Sequence, residues 1–251
     1  MEIWENNQYV RSIELKRDKI ESYSKYPFNL PAIKNLSKLK LHPKVTFIVG
    51  ENGSGKSTIL EAIATAYGFN AEGGTKNFNF SSCDTHSELQ NYIKLVKGIR
   101  KPEDGFFLRA ESFYNLATNI DNLDREQPSI PRIIDSYGGI SLHKQSHGES
   151  FFSVFMNKFR GHGLYILDEP EAALYPSRQM SMISRMHELV GKNSQFIIAT
   201  HSPIIMAYPD SIIYEIKNGI RAVRYEETEN YIVMKSFLNN TKGILNILLE
   251  K

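Results

Sequence analysis

The chain has 251 residues, of which 41% are hydrophobic and 23% charged. That is ordinary globular usage and excludes a disordered or fibrous chain. The 30 Lys and Arg residues exceed the 28 Asp and Glu by +2, too small a surplus for a protein that coats nucleic acid, although a local basic face stays open. The one cysteine, Cys83, has no partner for an internal disulfide, which suits a reducing, cytoplasmic compartment. The opening residues are too charged for a signal-peptide core. Apolar runs such as 164–167 and 196–199 fall far short of the roughly 20 residues that span a bilayer, so no direct membrane insertion is expected. The N-x-S/T triplets beginning at Asn35, Asn52, Asn79 and Asn239 then have no meaning as glycosylation sites.

In chain order, residues 9–15 alternate loosely and predict an edge strand. The Pro-punctuated stretch 26–31 reads as a connector. Residues 44–49 are β-rich and end at Gly50, as a buried strand would. Ile59, Leu60, Ile63, Ala64 and Tyr67 then recur at helical spacing until Gly68. The stretch 89–99 reads as a helix with Leu89, Ile93 and Val96 inward and Leu95 a further candidate, and Gly105 opens an apolar strand at 106–108. The polar segment 121–131 predicts an exposed loop, and Gly148 leads into a Phe-rich helix over 151–159. The last third alternates strand and helix: strand 164–167, helix 177–190, strand 195–199. This is the rhythm of a parallel sheet with crossover helices, and it places the chain in the α/β class. A hairpin over 211–225, turning at Asn218-Gly219, and a terminal helix over 231–249 complete the reading.

The strongest chemical signal is Gly50-Glu51-Asn52-Gly53-Ser54-Gly55-Lys56-Ser57, a full match to the phosphate-loop pattern G-x-x-x-x-G-K-[ST]. Its glycines let backbone N–H groups curl around phosphate oxygens, while Lys56 reaches the β- and γ-phosphates and the Ser57 hydroxyl coordinates Mg²⁺. The helix that follows, Ser57 to Tyr67 with Thr58 in its first turn, points its positive end at the anion. The second signal is the strand 164–167 ending in Asp168-Glu169. A phosphate loop alone does not choose among kinases, GTPases and ATPases, but Asp168 is placed to hold Mg²⁺ and Glu169 to polarise an attacking water, which favours hydrolysis over phosphate transfer to an acceptor.

With Ser146-His147-Gly148-Glu149 opening a helix shortly before the acidic strand, and Thr200-His201-Ser202 after the next strand, the chain resembles the ABC-type ATPase superfamily. The resemblance implies a P-loop fold with a mostly parallel sheet flanked by helices, an antiparallel N- and C-terminal β portion and a small helical insertion. It makes Ser146, Gly148 and Glu149 the counterpart of the family's signature, with Gln145 and His147 departing from the usual form. His201 becomes the residue that contacts the γ-phosphate and the attacking water. The turn Pro170-Glu171-Ala172-Ala173-Leu174-Tyr175-Pro176 is similar to that of the soluble OLD and SMC-like branch rather than the transporters, which carry Asp where Tyr175 stands. In place of the usual Gln after the strand at 106–108 the chain has Glu111, a candidate metal ligand; Gln90 and Gln127 are less well placed. The adenine-stacking aromatic stays open among Tyr23, Tyr26 and Phe28.

What the resemblance implies is one ATPase domain over 1–251, with an insertion region at about 70–145 and a hairpin and helix over 205–251. The 35 positions from Glu111 to Ser146 leave no room for coiled-coil arms, and the roughly 50 residues after His201 leave none for a nuclease. ATP is expected between the phosphate loop of one protomer and the signature of a second in a head-to-tail homodimer that drives or gates an unidentified protein partner. The alternatives are the nucleotide-binding subunit of a transporter, and a DNA-associated defence or repair ATPase using Lys94, Lys97, Arg100 and Lys101 or Lys34, Lys38, Lys40 and Lys44.

Overall fold

Alternation of side chains along buried strands decides the layering of this chain. The computed structural model describes residues 8–76, 87–109, 113–126, 132–172 and 174–250. In chain order its elements are β1 (Val10–Leu15), α1 (Pro31–Lys34), β2 (Lys38–Lys40), β3 (Val45–Gly50), α2 (Lys56–Tyr67) and α3 (Leu89–Tyr92). There follow β4 (Ile93–Lys97), β5 (Asp104–Arg109), α4 (Phe113–Glu126), α5 (His147–Lys158), β6 (Gly163–Asp168) and α6 (Pro176–Gly191). The remainder is β7 (Gln195–Ala199), α7 (Pro203–Met206), β8 (Ser211–Ile216), β9 (Ile220–Val223), α8 (Glu229–Asn239) and α9 (Thr241–Leu248).

The main sheet runs β5-β6-β7-β3-β8-β9 and is parallel throughout except for the β8–β9 hairpin. Its central strands are buried on both faces, which is why they read as continuous apolar runs. On one face Phe47, Phe106, Tyr165 and Phe196 meet α4, α5 and α6 through Leu116, Phe155 and Met186. On the other, Ile48, Phe107, Ile166 and Ile197 meet α2 through Ile59 and Ile63, together with Val10, Ile13 and Leu39 of a second sheet. That second sheet is antiparallel, with order β2-β1-β4. The α/β architecture expected from the sequence is therefore present, with its antiparallel portions at the N-terminal sheet and the β8–β9 hairpin. Among the described residues no helix is long and apolar enough to cross a membrane.

Four local expectations are corrected. β1 is the middle strand of its sheet, not an edge, because Lys38–Lys40 and Ile93–Lys97 pair with its two sides. The stretch 89–99 is helical only to Tyr92; Ile93 then pairs with Leu15 and Leu95 with Ile13, and ladder hydrogen bonds override the helical spacing. Residues 121–126 continue α4 instead of looping out. Their polar side chains are anchors: Asp124 accepts from the N–H groups of Ile133 (2.7 Å) and Ile134 (2.9 Å), and Asp121 from the Ser141 hydroxyl (2.7 Å). The terminal helix breaks at Asn240, which ends α8 and caps α9 by accepting from Gly243 N at 3.1 Å. The stretch 70–145 supplies β4 and β5 to the two sheets as well as α4; Cys83 lies outside the described residues.

Candidate phosphate-binding site

β3 delivers the chain to Gly50, whose φ of 153° and position suit only glycine: a Cβ there would lie 2.7 Å from the Ile216 carbonyl oxygen of β8. The loop that follows is tied to α1 by Ala32 N donating to Ser54 O at 3.1 Å. Gly55, with φ of 105°, turns the chain into α2, and no side chain caps that helix. The first-turn N–H groups of α2 therefore stay available to an anion, reinforced by the helix dipole. A cavity of about 390 Å³ opens here between Tyr26, Leu30, the loop residues Asn52, Gly53 and Gly55, residues 56–58, and Glu169. Ser54, within the loop, is 8% exposed.

Lys56 is buried, at 4% exposure, and its ammonium donates to the carbonyls of Gly50 (2.9 Å) and Glu51 (3.0 Å). Burial pushes its pKa below the ordinary lysine value, while Glu169, Asp168 and Glu171 pull it back up. The ammonium thus sits between two backbone carbonyls and the Glu169 carboxylate, 3.9 Å away. The Ser57 hydroxyl donates to Asp168 Oδ1 at 3.1 Å, so α2 and the end of β6 bring together two hard oxygen donors. This donor set fits Mg²⁺, which binds through one or two protein oxygens and completes its shell with water and phosphate. No cluster of three or more His, Cys, Asp or Glu side chains is placed to hold a metal among the described residues.

β6 and β7 are parallel neighbours with Asp168 opposite Ala199. The residues just beyond the two strand ends, Glu169 and His201, therefore converge. Glu169 Oε1 lies 3.4 Å from His201 Nε2 and 3.9 Å from Lys56 Nζ. The His201 ring nitrogen is near enough for ion pairing yet not aligned for a hydrogen bond. Glu169 is held at φ of 49°, the left-handed region, with its N–H on the Ala199 carbonyl at 3.0 Å. The backbone of His201 is fixed too: its N–H donates to Glu171 Oε1 at 2.5 Å, and its carbonyl accepts from Asn230 Nδ2 at 2.5 Å.

The structure thus brings Lys56, Ser57, Asp168, Glu169 and His201 into one constellation. Ser146, Gly148 and Glu149 sit apart from it, at the start of α5, and the phosphate-loop cavity takes no lining residue from that helix. They form a capping box: Ser146 N–H donates to Glu149 Oε2 at 3.1 Å, and Glu149 N–H to Ser146 Oγ at 3.4 Å. The bonds from Ser146, with help from Arg178 at 3.6 Å, hold the Glu149 carboxyl below the usual carboxylate range. Glu111 and Gln127 lie outside the described residues. Of the aromatic candidates, Phe28 is 5% exposed and packs edge-on to Tyr92, while Tyr23 sits beside Arg17. Tyr26 is 58% exposed and lines the cavity. Sequence reasoning missed the placement of Glu171 and Asn230. The repeated Glu of the Glu169-Pro170-Glu171 turn was a usable signal for the first, and nothing marked the second.

Residues 75–206, just over half of the chain, match the family described as AAA ATPase domain, and residues 28–84 match the P-loop containing region of AAA domain. The chain is 25% identical over 235 residues to the cell division ATP-binding protein FtsE of Bacillus subtilis (strain 168), covering 87% of this chain and 98% of that one. It is 29% identical over 126 residues to the retron Ec83 probable ATPase of Escherichia coli, covering 43% of this chain and 23% of the relative. Among solved structures it is similar to cbiO1 from Clostridium perfringens, part of an ABC transporter complex, with a TM-score of 0.49 and 18% identity over 97% of this chain and 100% of that one. The chain belongs to the AAA ATPase domain family, with the P-loop containing region in its first third.

Proposed function

We propose that the chain binds ATP on the phosphate loop and α2 and hydrolyses it to ADP and phosphate, with Glu169 as the base for the attacking water. The observation that carries this reading is the position of Glu169, whose Oε1 faces both Lys56 Nζ and His201 Nε2 within 4 Å. The backbone N–H groups from Gly50 to Gly55 and the ammonium of Lys56 take the phosphates; Thr58 follows in the first turn of α2. Ser57 and Asp168 are the residues that would hold Mg²⁺, with Glu111 a further candidate, and the ion would supply positive charge at the β- and γ-phosphates. His201 contacts the γ-phosphate. Tyr26, exposed at the cavity rim, is the aromatic best placed to stack on the base.

The capping box of Ser146 and Glu149, with Gly148 beside it, is an exposed helix N-terminus with no anion partner in its own protomer's phosphate-loop cavity. This supports a head-to-tail homodimer in which that terminus meets the γ-phosphate held by a second protomer. Hydrolysis removes the shared charge and lets the pair open, and the cycle drives or gates a protein partner in the cytoplasm. The whole of 1–251 acts as one ATPase domain in this reading. The test is size-exclusion chromatography with light scattering on Glu169→Gln with and without Mg-ATP. A dimer that forms only with ATP is the expected result, and a monomer under both conditions overturns the sandwich.

One observation favours a nucleic acid as the load. Lys76 and Lys97 lie 4.1 Å and 4.7 Å from the centre of the Tyr67 ring. Burial, with repulsion from Lys97 and Lys101, pushes the Lys76 ammonium below its ordinary pKa. A crowd of cations in one place suits a polyanion. ATP turnover stimulated by DNA, with a steep loss on adding salt, is the outcome expected of that reading; turnover indifferent to DNA removes it.

A further inference from the structure

The reacting end of His201 is a side chain on a short loop between β7 and α7, and such a loop would ordinarily let the ring wander. Here the peptide groups on both sides of His201 are bonded. Its N–H donates to Glu171 Oε1, on the turn that follows Glu169, and its carbonyl accepts from Asn230 Nδ2, in the first turn of α8, both at 2.5 Å. One residue upstream, Thr200 N–H donates to the Ile48 carbonyl of β3 at 3.3 Å. One residue downstream, the Ser202 hydroxyl donates to Gln179 Oε1 at 2.5 Å and accepts from Ile204 N–H at 3.1 Å.

We infer that Glu171 and Asn230 are positioning residues, a two-sided clamp that sets the His201 backbone so that its ring faces Glu169. The inference rests on the reading of His201 as the γ-phosphate contact. It adds two residues that lie outside the cavity between Tyr26, Lys56 and Glu169 and that meet His201 at its backbone.

The chemistry of the two partners is matched to the task. A peptide N–H is best oriented by a charged acceptor, since a charge-assisted hydrogen bond is shorter and stronger than a neutral one. A carbonyl needs a donor that brings no charge to compete with Lys56 for the phosphates, and an amide supplies that. Asn230 is itself anchored: Thr228 caps α8 by accepting from Tyr231 N, and Glu229 N donates to Glu215 Oε1 at 3.1 Å. Its amide consequently reports the position of the C-terminal helices to the catalytic loop. Glu171 is anchored in the tight turn by Leu174 N donating to its carbonyl at 2.9 Å. The geometry of the acids and the geometry of the histidine are thus linked by one side chain, and the histidine and α8 by another.

The test compares Glu171→Ala, Glu171→Gln and Asn230→Ala with the parent chain, each also in a His201→Ala background. Loss of positioning away from the chemistry should lower kcat by about 10- to 100-fold with KM for ATP unchanged. Glu171→Gln keeps an oxygen acceptor for the His201 N–H and should recover most of the rate. In the His201→Ala background the clamp substitutions should have no further effect, because residues that act as a unit are not additive. Full kcat in both alanine variants, or equal losses with and without His201, overturns the clamp. A second readout needs no turnover: the imidazole resonance of His201 followed by NMR through a pH titration. It should move in Glu171→Ala and return in Glu171→Gln; an identical titration in all three also overturns the clamp. If the parent chain hydrolyses no ATP, the ATPase reading fails by itself and the titration still decides the clamp.

Discussion

Glu169 Oε1 lies 3.4 Å from His201 Nε2, and the pairing follows from strand order. β6 and β7 are adjacent and in register, so side chains leaving their carboxyl ends meet at the edge of the sheet where ligands of open α/β folds bind. The same oxygen is 3.9 Å from Lys56 Nζ, so one carboxylate answers to two nitrogens. Glu169→Gln preserves the shape and removes the proposed base. It should lower kcat by about 10²- to 10⁴-fold while fluorescent ATP analogues bind as tightly as to the parent. An active Glu169→Gln enzyme would move the base elsewhere.

The backbone of Glu169 carries a cost of its own. A φ of 49° is unfavourable for a residue with a Cβ, by roughly 1–2 kcal/mol. The conformation is held by the bond from Glu169 N–H to the Ala199 carbonyl at 3.0 Å. Glycine relieves the strain and alanine does not. Glu169→Gly should therefore be more stable than Glu169→Ala by about 1 kcal/mol, with both inactive. Urea denaturation of the two variants gives the difference directly, and equal midpoints would mean that the turn stores no strain.

The parts of the molecule legible in the sequence were those dictated by local chemistry. Gly50 through Ser57 needs its glycines and its lysine wherever it occurs, and the apolar runs ending at Gly50, Asp168 and Ala199 are strands because both faces are buried. The errors came where a distant partner decides the outcome. Ile93 and Leu95 fit a helix until β1 offers its edge, and Asp121 and Asp124 look like loop residues until Ser141 and the amides of residues 133 and 134 take their carboxylates. At the site, Ser57 and Asp168 could be paired from motif and strand order alone. Asn230 could not, because its bond to His201 joins positions 29 apart through a hairpin whose direction no local pattern encodes.

Gln195 joins the two sheets. It is fully buried, and its amide is fully used: Oε1 accepts from the N–H groups of Tyr9 (3.1 Å) and Val10 (2.9 Å), and Nε2 donates to the carbonyls of Val10 (2.8 Å) and His42 (2.9 Å). Val10 O keeps a second donor in Gln8 Nε2 at 2.9 Å, so the groups stranded by a substitution are chiefly the two N–H donors. Gln195→Leu fills the same volume and leaves both unsatisfied, at about 1–3 kcal/mol each. The expected loss of unfolding free energy is roughly 2–6 kcal/mol, read by chemical denaturation. A loss below 1 kcal/mol would show that the N-terminal sheet is held by its apolar side chains and not by this amide.

His42, just before β3, makes the fold sensitive to acid. Its Nδ1 accepts from the N–H groups of Lys44 (3.2 Å) and Val45 (3.4 Å), so the neutral ring has its proton on Nε2, 4.0 Å from Asp210 Oδ1. Burial holds its pKa below the ordinary histidine value, Lys44 adds to the effect, and Asp210 opposes it. Protonation would place a second N–H against the two backbone donors. The folded state therefore binds this proton more weakly than the unfolded chain, and stability falls as pH drops below about 6.5 toward the folded pKa. Asparagine can accept from the same two N–H groups through its side-chain oxygen. His42→Asn should thus match the parent at pH 7.5 and lose less at pH 5.5, measured as urea midpoints at the two values. If both proteins lose the same amount between them, the acid sensitivity belongs to carboxylates such as Asp210, whose bond to Lys44 also weakens on protonation.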